Sequence, residues 1–312
     1  MWTVLPTSAN WPPPAANGAR RSWCAAGTWG RGSRPAMARR GATARLRKRV
    51  RRRARKEVLE EVRTEVRILP LVVAGEIRAG DSLTRKLLAA AVNAGLRFQD
   101  GDILVVKHKI VSKAEGAFVA LDQIRPSASS RAWARRYGLD ARVTELALRE
   151  SRRIVRRKRG VLITETRHGF VCANSGVDVS NVDGGRHALL LPRDPDRSAA
   201  RLRRDLKEHL GFDIAVIVSD SFGRPWREGL TEAAIGVAGM RPLHDYRGRR
   251  DPHGYPLRVS VDAIADELAC AAGLVCGKLA STPACIIRGF PYSRRNGSAR
   301  ELIRPAKYDL FR

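Results

Sequence analysis

From about residue 66 onward, short apolar runs alternate with stretches whose apolar residues recur three or four positions apart, the signatures of strands and of amphipathic helices. Val66-Arg67-Ile68-Leu69-Pro70 predicts the strand that opens the folded part. Asp81–Ala94 predicts a helix with Leu83, Leu87, Leu88 and Val92 on one face and Asp81 or Ser82 as its cap. Asp102–Val106 predicts a buried strand, and Ala132–Tyr137 and Ala141–Val155 predict helices. Val161–Glu165 and Phe170–Ala173 predict two strands around an Arg167-His168-Gly169 turn. Further on come a short strand at Ala188–Leu191, a helix at Ser198–Leu210, a strand at Asp213–Val218, an Ala-rich helix at Asp262–Gly273 and a strand at Ala284–Arg288. Strands and helices mix without strict alternation, which predicts an α+β fold on a mixed sheet. No internal repeat is visible, and no apolar run approaches the length of a membrane span.

Before residue 66 the pattern fails. Residues 1–44 are rich in Ala, Gly, Arg, Pro, Ser and Trp, and Arg45–Lys56 is nearly all basic, so residues 1–60 are expected to be a disordered basic tail. Glu57–Val66 is expected to form a short helix. The tail explains only part of a net charge of +28: residues 1–66 hold 16 Lys/Arg against 4 Asp/Glu, while the rest holds 43 against 27. A basic arm is one route to nucleic acid or a membrane surface. The plainer account, favoured here, is an overcalled start (Met37 is an internal methionine) or a solvated extension. The charge in the folded part is spread without interleaved aromatics. That favours small polyanions over nucleic acid as partners. The tail lacks the apolar stretch and cleavage site of a secretory signal. Five cysteines at irregular spacing, with no Cys-x-x-Cys pair, suggest reduced thiols in a cytoplasmic protein and no structural zinc.

Candidate chemistry gathers behind three of the apolar runs. The strand expected at Asp213–Val218 runs into Ser219-Asp220-Ser221 and then Gly223 and Pro225, which would present Asp220 at a sheet edge with Arg224 and Arg227 close behind. A carboxylate for a metal beside guanidinium groups for phosphate suits phosphoryl transfer. A strand followed by a polar turn explains the same residues equally well. Lys113 follows the strand at Asp102–Val106 and could meet phosphate as a point charge, although a surface lysine is the simpler reading. After Cys172-Ala173-Asn174-Ser175, Gly176 permits close backbone approach. Asp178 is there a candidate metal ligand and Asn181 a candidate nucleotide contact, with Asx-type turn chemistry the bland alternative. There is no Walker loop, and the six histidines show no ligand spacing; His108 and His168 read as polar or turn residues.

Several ordered motifs carry a resemblance over about residues 66–312. They are Lys107–Gly116, Arg167–Asn174, Gly176–Val182, Leu189–Asp196, Ser219–Gly229, Ala234–Met240, Ala265–Ala269 and Ile287-Arg288-Gly289. Together they resemble the coenzyme F420-0:L-glutamate ligase family, in its stand-alone form without a reductase domain. The resemblance implies a GTP- and divalent-metal-dependent ligase of coenzyme F420 biosynthesis. Such an enzyme adds L-glutamate to F420-0 through a gamma-glutamyl linkage, by way of an acyl phosphate on the lactyl carboxylate. It implies Mg2+ or Mn2+, with K+ as a further candidate ion, and a homodimer. By motif, Asp178 and Asp220 match the metal ligands, with Ser221 beside a second metal. Asn181 matches a GTP contact, and His108, Ser112 and Lys113 match the nucleotide-contacting loop. Arg224 and Arg227 stand as catalytic candidates on local chemistry alone.

Two departures matter. The first loop reads Val73-Ala74-Gly75 and then Gly80-Asp81-Ser82, where the family usually has Gly-Ile/Leu-Pro ahead of Gly-Asp-Asp. Archaeal members carry a Gly-Glu-Gly run that supplies a metal ligand, and the matching run here is Gly277-Lys278-Leu279. Lys278 cannot bind a metal as a glutamate does, so Gly277 and Lys278 are expected to meet phosphate instead. Two rivals follow: a related metal-dependent amide ligase with another acceptor, and a basic nucleic-acid-binding protein acting through Arg45–Lys56.

Overall fold

Ile103–Val106 and Ala215–Val218 are buried along their whole length, and this decides the architecture. Successive side chains of a strand point to opposite faces, so a strand buried throughout must be covered on both. The computed structural model describes residues 65–180, 182–279 and 281–309. In it these runs are strands β2 (Ile103–Lys107) and β8 (Ala215–Arg224), at the middle of a five-stranded sheet. The sheet order is β1-β12-β2-β8-β9, with β1 at Arg67–Leu71, β9 at Arg227–Ala238 and β12 at Ala284–Arg288. Only β2 and β8 run parallel; the other neighbours are antiparallel. The mixed sheet expected from the sequence is present.

Helices cover both faces. Leu104, Val106, Val216 and Val218 pack against α1 (Leu83–Asn93), α2 (His108–Ala114) and α5 (Pro195–Leu210). Ile103, Val105, Ala215 and Ile217 pack on the other side against α6 (Ile264–Val275). Each fully buried Leu, Ile or Val contributes about 1.5–3 kcal/mol. A smaller cluster of Leu121, Ile124, Leu146 and Ala188 lies beneath the pair β3 (Phe118–Ala120) and β7 (His187–Leu189). Helices α3 (Ala128–Tyr137) and α4 (Ala141–Arg149) lead into a separate three-stranded sheet. Its strands are β4 (Ser151–Lys158), β5 (Val161–Thr166) and β6 (Val171–Ala173). A two-residue pair, β10 (His244–Asp245) with β11 (Val261–Asp262), precedes α6.

Three expectations need correction. The helix expected to run to Val155 ends at Arg149, and the basic run becomes the edge strand β4. Arg152/Arg156 and Arg153/Arg157 would be like-charged neighbours four apart on a helix, whereas a strand separates them. The segment after β2 is not a loop but the short helix α2, whose Ile110 and Val111 are buried. Strand β8 does not stop at Val218: it continues through Asp220 to Arg224, turns at Pro225 and Trp226, and returns as β9. The polar residues stay in strand form because β9 accepts and donates their ladder bonds. The expected helix at Glu57–Val66 lies outside the described residues up to residue 64, and Glu65 and Val66 are not helical. The tail at 1–60 is likewise outside them. Among the described residues no helix is long and apolar enough to cross a membrane.

Candidate active site

The parallel strands β2 and β8 finish side by side, with Lys107 in register with Ser219. In mixed and parallel sheets, ligands bind beyond the carboxyl ends of such strands. Here those ends carry the polar residues. Ser219 and Asp220 continue β8, and Lys107 and His108 carry β2 straight into α2. A bulge sharpens the edge: Val218 pairs with Gly236 but Ser219 pairs with Ala234, so Ile235 is an extra residue on β9. The amide of Ala234 donates to Asp266 Oδ1 at 2.8 Å. Burial raises the Asp266 carboxyl above its usual range.

Three consecutive residues each hold a different acid. Lys107 Nζ lies 2.6 Å from Glu232 Oε1 on β9. His108 Nε2 lies 3.3 Å from Asp220 Oδ1. Lys109 Nζ lies 2.6 Å from Asp178 Oδ2 and also donates to Ser180 Oγ at 2.9 Å. Asp178 and Asp220, expected to converge from separate strand ends, are therefore both anchored to the first turn of α2. Burial pushes the Asp178 carboxyl up, but Lys109 and Ser180 outweigh it and leave it below the usual range. The Asp178 carboxylate also accepts the Ser180 amide at 2.7 Å, so turn chemistry and site chemistry share this residue. Asp178 bridges Leu189 of β7, and Gly176 lets that segment close, since a Cβ there would lie 2.7 Å from Leu191 Cγ. The Cys172 thiol is pushed up to about 12, by burial first and by the negative charge of Asp220 second.

The remaining expected site residues fall at varying distance from this edge. Ser221 is on it: its amide donates to Asp220 Oδ1 at 2.7 Å and its hydroxyl to Glu232 Oε1 at 2.7 Å. Ser112 is buried behind His108, with its Oγ 3.4 Å from His108 Nδ1, so it supports the imidazole and does not line an open surface. Lys113 turns to the first loop, 3.3 Å from Glu76 Oε1. Gly277 and Lys278 are exposed on the segment after α6, which returns at Pro283, whose carbonyl accepts the Lys107 amide at 2.8 Å. Arg224 and Arg227 face each other across the hairpin tip, both exposed, and Arg224 donates to Glu228 O at 2.9 Å. Four residues of strand put Arg224 about 13 Å beyond Asp220, so the structure does not bring the two arginines to the acids. Asn181 lies outside the described residues. Sequence reading missed Glu232, Lys107 and Lys109. The signal for Glu232 was its place opposite Ser221, which only the hairpin register reveals.

Among the described residues no three His, Cys, Asp or Glu side chains converge on one metal ion. The donors nevertheless suit a hard cation. Asp178, Asp220 and Ser221 offer oxygen only, and Mg2+ typically takes one or two carboxylates and fills its shell with water and substrate phosphates.

Known proteins point the same way. The family model for F420-0:Gamma-glutamyl ligase matches residues 72–289. The chain is 46% identical over 239 residues to the coenzyme F420:L-glutamate ligase of Methanothermobacter thermautotrophicus, covering 76% of this chain and 94% of that one. It is 45% identical over 251 residues to that of Methanopyrus kandleri, covering 79% and 97%. To that of Methanocaldococcus jannaschii it is 43% identical over 215 residues, covering 69% and 86%. The chain belongs to the F420-0:gamma-glutamyl ligase family.

Proposed function

We propose that the protein joins the α-amino group of L-glutamate to the carboxylate of F420-0, using GTP and a divalent metal. A free carboxylate is a poor electrophile, so it needs a leaving group. In this reading its oxygen attacks the γ-phosphorus of GTP and GDP departs. The glutamate amine then attacks the resulting acyl phosphate, phosphate leaves and a proton is released. Bound Mg2+ or Mn2+ supplies charge neutralisation between nucleotide phosphates and acids. Asp220 and Asp178 are the residues that would hold it, with Ser221 as a neutral oxygen donor.

The observation that carries this reading is the pairing of Lys107, His108 and Lys109 with Glu232, Asp220 and Asp178. Each acid is held in place by a basic side chain of this run, which sets Asp220 and Asp178 where they could hold a metal. Ser112 steadies the His108 ring. Lys113 links α2 to the first loop through Glu76, which would close that loop over the nucleotide. Lys278, exposed, stands ready for phosphate and not for metal. The protein is read as a homodimer; sedimentation tests that, and exposed Val259, Leu274 and Leu279 are the kind of surface an interface covers.

The test incubates the purified protein with F420-0, GTP, L-glutamate and either Mg2+ or Mn2+. The expected product is F420-0 heavier by one or more glutamyl residues, formed only when GTP and metal are both present. Failure to form it with either metal would sink the proposal. ATP, replacing GTP in a parallel reaction, is expected to support less product.

A further inference from the structure

Glu232 is not among the residues that would hold the metal, yet three side chains at the edge donate to it. It lies opposite Ser221 on the β8–β9 ladder, and its side chain is 11% exposed. Its Oε1 accepts from Lys107 Nζ at 2.6 Å and from Ser221 Oγ at 2.7 Å, while Oε2 accepts from Ser219 Oγ at 3.2 Å. An ionised carboxylate only accepts hydrogen bonds. Both hydroxyls must therefore spend their single proton on Glu232. Ser221 is left with its lone pairs for any group on that face of the edge, which makes it an oxygen donor to a cation and not a proton donor.

The stem of Glu232 is fixed as well as its head. On α6, Gly273 faces it, and a Cβ at that position would lie 2.8 Å from Glu232 Cγ. Cys270 Sγ donates to the Glu232 carbonyl at 3.1 Å. Without Glu232 the Lys107 ammonium would lose its carboxylate partner on the α6 face of the sheet.

We propose that Glu232 is a positioning residue of the ligase centre: on the α6 face of the edge it sets the hydroxyl of Ser221 as an oxygen donor and holds the Lys107 ammonium in place. The inference rests on the reading of the Asp220 edge as the metal- and phosphate-handling edge.

Glu232→Gln tests it. The amide can donate to Ser221, reversing the hydroxyl, and it holds an ammonium far less well. We expect the kcat to fall about tenfold or more, the effect of losing one charge-assisted hydrogen bond. The KM for L-glutamate should stay unchanged. Mn2+ binding in the presence of GTP but without F420-0, read from the free-ion signal in electron paramagnetic resonance, should weaken by a similar factor. Glu232→Asp keeps the charge and should recover part of both. If Glu232→Gln does not fold, Gly273→Ala carries the test. It favours the helix but crowds the Glu232 stem, and should weaken Mn2+ binding without lowering the thermal midpoint. Wild-type Mn2+ binding in Glu232→Gln, or in Gly273→Ala where that variant carries the test, overturns the inference even if kcat falls, because a purely structural role would do that. If the wild-type protein itself neither binds Mn2+ with GTP nor forms product, the underlying reading of the edge fails instead.

Discussion

Lys107, His108 and Lys109 are consecutive, yet they reach acids on three different segments: Glu232 on β9, Asp220 on β8 and Asp178 before β7. That is possible because the chain changes from strand to helix between Lys107 and His108, which fans the three side chains apart. A carboxylate outside this edge is held just as firmly. Glu145 on α4 accepts the Ser127 amide at 2.9 Å and the Ser130 hydroxyl at 2.7 Å, capping the start of α3. These bonds, from Ser127 first and Ser130 next, pull its carboxyl down to about 2. Because the folded value lies below the unfolded one, the stabilisation is complete above the ordinary carboxylate range and is lost as pH falls toward about 2. Acid unfolding followed by the fluorescence of Trp133, on α3, is expected to be less steep below that ordinary range in Glu145→Gln. An unchanged acid limb would show that the cap carries no such linkage. At this scale the sequence made Asp178, Asp220 and Ser221 legible through their motifs. Glu232 stayed hidden because its partner across the hairpin is eleven positions away in sequence.

Elements with a long period were the legible ones. Ser82 caps α1 as expected, accepting the Arg85 amide, and β12 occupies Ala284–Arg288 as expected. The misses share a cause. Helix α2 has seven residues, too few to show a helical period. The polar half of β8 and the first half of β9 carry few apolar residues, so no alternation of apolar residues marks them. Their strand form is imposed by pairing, which a one-dimensional pattern does not contain. The same holds for β4, whose cations on an edge strand discourage pairing with a neighbouring molecule. The hairpin correction also moved Arg224 and Arg227 from the acids to an exposed tip, where Trp226 adopts a left-handed conformation with φ of 58°.

Over the whole molecule, the family match spans residues 72–289 and so does not take in the basic run at Arg45–Lys56. Removing residues 1–60 is expected to leave glutamylation of F420-0 within about twofold of the full chain while reducing any retention on heparin, since only the long-range field is lost. Loss of product formation in the truncated chain would place part of the ligase in the tail. The proposed reaction would move phosphate at the neighbouring ends of β2 and β8. Asp220→Asn tests this, because the amide keeps the shape of the side chain that lies 3.3 Å from His108 and removes its charge. In a single-turnover reaction with F420-0, radiolabelled GTP, L-glutamate and Mn2+, the account predicts that phosphate release falls by at least about a hundredfold, the scale of removing one charge-stabilising group from such a centre, while the thermal midpoint stays within a few degrees. Phosphate release at the wild-type rate in a folded Asp220→Asn protein would contradict it.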